Sequence, residues 1–343
     1  MDKIDPNITN KKNMKRTNFL VLIMLLISVS TFAQQQSMFT KYMFNTLAFN
    51  PAYAGSREAL SGNLLYRNQW MGLEGAPVTQ TLGIHSPIKP RVAVGLIIVN
   101  DKIGPTSSTS VNAIYAYRME FGKGKLAIGF QAGALNWRAD WDKLRYRDPQ
   151  TIDDAFSGGN ESKWFPNFGA GIYYNSKHFY TGFATPGLLE TKLNTGSSYD
   201  LSAKLYRHYY YSIGGAIPIA GDMIVFKPSA LIKGVNVFSS GKETANKVSA
   251  PVEFDIDFGF LFYDTFWLGT SFRSSVEKFT NHSSSYDSAD IWTSFQMRNG
   301  LRIGAAYDYS LTKIQTVSKG SVELMVGYDF NYHDAALAHV RYF

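Results

Sequence analysis

Residues 252–262 read VEFDIDFGFLF, with an apolar side chain at every second position. Val252, Phe254, Ile256, Phe258, Phe260 and Phe262 fall on one side, and Glu253, Asp255, Asp257 and Gly259 on the other. A strand sends successive side chains to opposite faces, so this spacing predicts a strand with one greasy and one acidic face. The scheme recurs at 300–309, where Leu301, Ile303, Ala305, Tyr307 and Tyr309 oppose Arg302, Gly304, Ala306 and Asp308. It recurs at 321–330, with Val322, Leu324, Val326, Tyr328 and Phe330 against Glu323, Met325, Gly327 and Asp329. In 223–233, Ile224, Phe226, Ala230 and Ile232 oppose Lys227, Ser229 and Lys233. About fourteen such segments are predicted, near 58–69, 77–86, 91–99, 107–119, 124–138, 165–174, 178–184, 206–219, 223–234, 251–262, 265–275, 288–297, 300–309 and 320–331.

The connections between them alternate in length. Short ones carry turn residues: Gly122-Lys123-Gly124, Asn175-Ser176-Lys177, Gly221-Asp222 and Asn299-Gly300. The others, among them 100–106, 139–164, 185–205, 235–250 and 276–287, are longer and polar. A soluble sandwich also alternates apolar and polar positions, but it has no reason to sort its loops by length. A barrel crossing an outer membrane does, with short periplasmic turns and long extracellular loops. In hydrocarbon every backbone N–H and C=O must be paired, and only a closed ring of strands does so without leaving edges. The expected fold is therefore all-β: a transmembrane antiparallel β-barrel of about fourteen strands over 58–331. Aromatic residues near the strand ends are expected to form interfacial girdles: Tyr66 and Trp70, Trp137 and Trp141, Tyr173 and Tyr174, Tyr209 to Tyr211, Tyr263 and Trp267, Tyr307 and Tyr309.

The N-terminus changes the picture in one respect. Lys15 and Arg16 precede an apolar run from Phe19 to Val29, and Thr31 and Ala33 supply small residues ahead of a cleavage point before Gln34. That is the layout of a secretory signal peptide, and the run is too short to span a bilayer as a helix. Residues 1–33 are expected to be an N-terminal extension plus a cleaved signal, with Met14 an alternative start to Met1. Their removal takes five lysines and arginines and two aspartates, and the formal charge falls from +7 to +4. Such a mild excess gives no reason to expect a nucleic-acid partner. The absence of cysteine excludes disulfides, thiolate metal sites and a cysteine nucleophile.

The inward face is expected to carry Lys227, Lys233, Arg273 and Arg302 together with Glu253, Asp255, Asp257, Asp308, Glu323 and Asp329. Mixed signs at this density suit crossed ion pairs filling a lumen. Residues 34–57 show no strand alternation and are expected to pack in that lumen or across the periplasmic mouth, or else to form a periplasmic arm. Residues 332–343 form a C-terminal tail ending in Phe343. Asp255 and Asp257 lack the glycine and bidentate glutamate of a calcium loop, and Gly122-Lys123-Gly124-Lys125 lacks the spacing of a phosphate loop. The six histidines show no metal-ligand spacing, and His85 and His282 have no partner acid at a strand-defined position. No catalytic residue, metal or cofactor is expected.

Asn50-Pro51-Ala52-Tyr53-Ala54-Gly55-Ser56-Arg57 resembles the N-terminal signature of the PorP/SprF family of Bacteroidota outer-membrane proteins. Collinear matches follow: Arg67-Asn68-Gln69-Trp70, Gly75-Ala76-Pro77, Val99-Asn100-Asp101-Lys102-Ile103-Gly104-Pro105, Pro166-Asn167-Phe168-Gly169, Lys227-Pro228-Ser229, Phe266-Trp267-Leu268-Gly269, and Leu301-Arg302-Ile303-Gly304 with Tyr307-Asp308-Tyr309. The end, Arg341-Tyr342-Phe343, is similar too, although His339-Val340 stand where the family usually has a proline. The resemblance implies a non-enzymatic outer-membrane component of the type IX secretion and gliding machinery. It would support export and surface attachment of large adhesins or other cargo with a C-terminal sorting domain. Implied partners are the lipid of the outer membrane, the secreted adhesin or its sorting domain, and a periplasmic peptidoglycan-binding lipoprotein of the OmpA-like kind. The C-terminus would be periplasmic. Residues of the matched motifs that could touch a partner are Asn50, Pro51, Ala52, Tyr53, Gly55, Gln69, Trp70, Pro77, Asp101, Lys102, Gly104 and Pro105. The alternative kept open by the residues is an outer-membrane diffusion channel or uptake porin.

Overall fold

The computed structural model describes residues 39, 41–143, 160–193, 203–221, 223–235, 251–276 and 286–330. The expected signal segment, the expected tail from 332 onward and most of the four longest connections lie outside these residues. The strands are β1 (Ser61–Asn68), β2 (Val78–Lys89), β3 (Val92–Ile103), β4 (Thr106–Phe121), β5 (Gly124–Asp140), β6 (Asn160–Ser176), β7 (Phe179–Thr185), β8 (Thr191–Leu193), β9 (Ala203–Leu205), β10 (His208–Gly215), β11 (Ile217–Pro218), β12 (Ile224–Val235), β13 (Glu253–Phe262), β14 (Phe266–Ser275), β15 (Ser288–Gln296), β16 (Leu301–Ser310) and β17 (Ser321–Asp329).

Neighbours in sequence pair antiparallel around the sheet, and β1 closes the ring on β17 with Leu64 opposite Val326. β10 and β11 share one place in the ring, since both pair with β12 on either side of Ala216. The result is a closed antiparallel barrel of 14 strands. β8 and β9 stand apart as a small hairpin. The alternation read from 252–262 is realised in β13: Asp257 is 0% exposed, while Phe258 is 46% exposed on the outer face. The outer face also carries Ile256, Phe260, Leu268, Ile291, Ile303, Tyr307, Leu324 and Val326. An apolar surface of this extent around a closed ring suits hydrocarbon, not water.

One rim holds the connections 90–91, 122–123, 177–178 and 263–265, and the other holds 69–77, 141–159, 186–207, 236–252, 276–287 and 311–320. The structure departs from the sequence reading at 100–106. This stretch is no loop: β3 and β4 pair to Ile103↔Thr106 and turn through Gly104 and Pro105 alone. Polar residues hold strand form here through cross-strand side-chain bonds, with Thr79 donating to Asp101 and Thr109 donating to Asn100 at 2.9 Å. β4, β5 and β6 run 16, 17 and 17 residues, so one side of the barrel continues past the length needed to cross a bilayer. The aromatic girdles are also only half as drawn. Tyr66, Tyr211, Tyr263, Tyr307 and Tyr309 are exposed outside, but Trp137, Tyr173 and Tyr210 are buried and Trp267 faces the interior at 6.3 Å from the Phe44 ring. Adjacent residues on a strand point opposite ways, so Tyr173-Tyr174 and Tyr209-Tyr210-Tyr211 cannot all meet lipid.

Residues 41–57 run inside the ring through three short 3-10 turns, Tyr42–Phe44, Thr46–Ala48 and Pro51–Tyr53. Phe39 accepts a hydrogen bond from Arg273, near the end of β14 that leads to a long connection. Arg57 reaches Asp329, at the opposite rim where β17 ends. The segment therefore threads the lumen from the long-loop side to the short-turn side.

Candidate functional site

The upper lumen is organised around Lys41. Its ammonium lies 2.8 Å from Asp257 and 2.6 Å from Asp290, and it donates to Ser271. Its backbone N–H donates to Glu323 at 2.9 Å. The period of β13 and β15 delivers these acids to one side of the lumen. Glu323 comes from β17 and Ser271 from β14, so four strands converge on one residue of the threaded segment. A lone buried ammonium would be strongly disfavoured, and two carboxylates compensate it. Beside this knot, Arg273 lies 2.6 Å from Asp255 and 3.7 Å from Asp308, Arg67 lies 3.5 Å from Asp308, and Lys233 lies 3.7 Å from Glu253.

Lower down, the segment fits the wall by shape. Asn50 accepts a bond from the Ala52 N–H at 3.0 Å, capping the Pro51–Tyr53 turn, and its amide donates to the Ile172 carbonyl at 3.1 Å. The wall opposite is glycine: a Cβ on Gly129 would overlap the Ala52 backbone, and one on Gly171 would overlap the Asn50 side chain. Tyr53 packs edge-on against Tyr173 and His85, with ring centroids at 5.4 Å and 5.6 Å. The Gly55 N–H donates to His85 Nδ1 at 3.0 Å and its carbonyl accepts from Arg118. Gly55 has φ of 75° and lies against Ala93, so a side chain there meets both strain and a clash. At the short-turn rim Arg57 forms a bidentate pair with Asp329, with Ser61 at 2.6 Å and Arg302 at 3.3 Å completing the cluster.

The lumen charges read from the alternation, Lys227, Lys233, Glu253, Asp255, Asp257, Arg273, Arg302, Asp308, Glu323 and Asp329, lie on the inner face. The motif residues separate into two groups. Asn50, Pro51, Ala52, Tyr53 and Gly55 line the lower lumen. Gln69, Trp70, Pro77, Asp101, Lys102, Gly104 and Pro105 sit at the long-loop rim, where the Gln69 N–H donates to the Pro77 carbonyl at 2.9 Å and the Gly104 N–H to the Gly75 carbonyl at 2.8 Å. Asp290 escaped the sequence reading although it follows the same period, since Ser288, Asp290, Trp292 and Ser294 alternate inward along β15. Lys41 gave no such signal, because its segment has no regular spacing. Among the described residues, no group of three or more histidine and acidic side chains is placed to hold a metal ion.

The family model described as "Type IX secretion system membrane protein PorP/SprF" matches residues 31–328. Comparison with curated proteins found no match. Several solved structures are similar in fold. The toluene transporter TbuX of Ralstonia pickettii matches at 11% identity and a TM-score of 0.45, covering 82% of this chain and 92% of its own. A FadL homologue of Pseudomonas aeruginosa matches at 13% and 0.43, covering 83% and 94%. The outer membrane protein Omp33 of Acinetobacter baumannii matches at 8% and 0.43, covering 80% and 99%.

Proposed function

Since the chain belongs to the PorP/SprF family of type IX secretion system membrane proteins, we propose that it is a non-enzymatic outer-membrane partner of exported cargo. In this reading it supports secretion and surface attachment of large adhesins, or of other proteins with a C-terminal sorting domain, and serves gliding motility. The observation that carries the proposal is the threaded segment. A diffusion channel needs an open bore, whereas here residues 41–57 occupy the lumen and are tied to the wall at both ends, by Lys41 to Asp257 and Asp290 and by Arg57 to Asp329. We infer that the segment is a resident plug and that binding takes place on the rims. The tall wall of β4, β5 and β6 and the long connections face outward, towards cargo. The short turns and the C-terminus face the periplasm, where an OmpA-like lipoprotein and other components of the machinery dock.

The test is an affinity pull-down of the tagged barrel from detergent-solubilised outer membrane. Recovery of a large secreted protein, or of its C-terminal domain, supports the proposal. Recovery of the barrel alone, together with steady open-channel current in planar bilayers, overturns it in favour of a diffusion channel.

A further inference from the structure

Three rows of outward residues cross the tall side of the barrel from β2 to β6. Strand register sets Leu82, Ile98, Val111, Ala134 and Pro166 side by side in the lowest. Two residues further towards the long-loop rim, Gln80, Asn100, Thr109, Asn136 and Trp164 share the second row. The third row holds Lys102, Ser107, Arg138 and Ser162. The outer face therefore turns from apolar, through amides, a hydroxyl and an indole, to cationic.

The change falls where hydrocarbon ends. On β4 the outward positions Phe121, Met119, Tyr117, Tyr115, Ala113 and Val111 are all apolar or aromatic. At about 3.3 Å per residue and the usual tilt this run stands about 25 Å tall, the height of the apolar band of an outer-membrane barrel. Thr109 and Ser107 then lie at the level of the lipid head groups. The Trp164 indole, 65% exposed in the second row, suits the same level.

Arg138 and Lys102 are both exposed and stand two strands apart, a distance of about 10 Å. Asn136 anchors the guanidinium: it accepts from Arg138 Nε at 2.6 Å and donates to Ser162 Oγ at 3.1 Å. Thr109 donates to Asn100 at 2.9 Å, which fixes the neighbouring part of the same row. An anchored fork loses little freedom on meeting a phosphate, whose oxygens it matches in shape. Asp140, two residues beyond Arg138 on β5, is met by Lys143, so this level of the wall keeps a positive excess.

We propose that this outer flank binds a phosphate-bearing glycolipid of the outer leaflet, its phosphates on Arg138 and Lys102 and its acyl chains against Val111, Ala113 and Ala134. Two cations so spaced suit a head with a phosphate at each end of a disaccharide, whereas a phospholipid with one phosphate engages only one of them. The choice of leaflet rests on the orientation given under the proposed function.

The test is native mass spectrometry of the full mature chain released from detergent, with diphosphoryl lipid A as the probe and dioleoylphosphatidylcholine as the comparison. One retained lipid A per chain is expected, with phosphatidylcholine retained at least fivefold less. Lys102→Gln with Arg138→Gln is expected to lower lipid A retention at least fivefold. Lys89→Gln with Lys177→Gln, which removes two exposed cations at the short-turn rim, stays within twofold. Retained heat-modifiable mobility on gels verifies each barrel. Should the first pair fail to fold, Ser107→Glu decides, because it sets a carboxylate between the two cations and is expected to cause the same loss. Equal retention of phosphatidylcholine, equal loss in the short-turn pair, or unchanged retention in the folded variants overturns the proposal. Binding in detergent depends neither on cargo nor on which way the barrel is inserted, so this inference and the secretion reading fail separately.

Discussion

Lys41 and Asp257 meet at 2.8 Å with side chains 1% and 0% exposed, joining the threaded segment to the wall in the interior of the barrel. Neither group is stable there without the other. Replacing one member of a buried pair leaves an uncompensated charge and typically costs about 3–5 kcal/mol. Lys41→Met therefore leaves Asp257 and Asp290 without their shared cation. The expected outcome is release of the upper part of the segment without loss of the barrel. A cysteine at Met43 should then react with a water-soluble maleimide at least tenfold faster, with heat-modifiable mobility kept. Lys41→Met with Asp257→Asn and Asp290→Asn should recover part of the protection. Unchanged labelling in Lys41→Met would mean that the ion pair does not hold the segment.

Shape does the same task lower down. An added Cβ at Gly129 meets the backbone of Ala52, whereas one at Gly62 meets nothing within 4 Å. Overpacking of this kind costs about 1–3 kcal/mol, against about 0.5 kcal/mol or less at an open site. Gly129→Ala should lower the denaturant midpoint and expose a cysteine placed at Ser56, and Gly62→Ala should do neither. Equal behaviour of the two variants would show that the segment does not seat on β5.

The barrel was legible because hydrocarbon imposes a rule on every strand. One face must be apolar, and the period of two then fixes which charges point inward, as at Asp255, Asp257 and Asp308. Where hydrocarbon ends the rule ends, and this is why 100–106 read as a loop although it continues β3 and β4 as paired strand. Pairs such as Tyr173-Tyr174 misled for a related reason: abundance of aromatic residues at strand ends does not say which of two neighbours faces lipid. The threaded segment was hardest to place. It has no periodicity, and its partners lie far away in sequence, Glu323 being 282 positions from Lys41. Its seat is written in wall glycines, which carry no sign of what lies against them.

The outer face gives a sharper test of the membrane. Phe258 points outward near the middle of β13, one residue from the buried Asp257. A basic side chain on the lipid face of such a barrel costs about 2–4 kcal/mol near the midplane. Phe258→Arg is expected to lower the folding yield into lipid vesicles and to reduce the unfolding free energy measured in urea by about 2–4 kcal/mol, while Phe258→Leu stays close to the parent. If the arginine variant folded as well as the parent, hydrocarbon would not be what covers this face.

The direction of threading sets the last expectation. Phe39 lies beside Arg273, towards the long connections, and Glu58 lies beside Lys125, where β5 begins at the short-turn rim. The proposed orientation puts the first near the cell surface and the second near the periplasm. With no cysteine in the parent chain, single replacements report cleanly. A thiol at position 39 should react with a membrane-impermeant reagent on intact cells, and one at 58 should react only after the outer membrane is breached. Labelling in the reverse order would turn the barrel over, placing the long connections in the periplasm. Cargo would then have to meet the short-turn rim instead of the tall wall of β4 to β6.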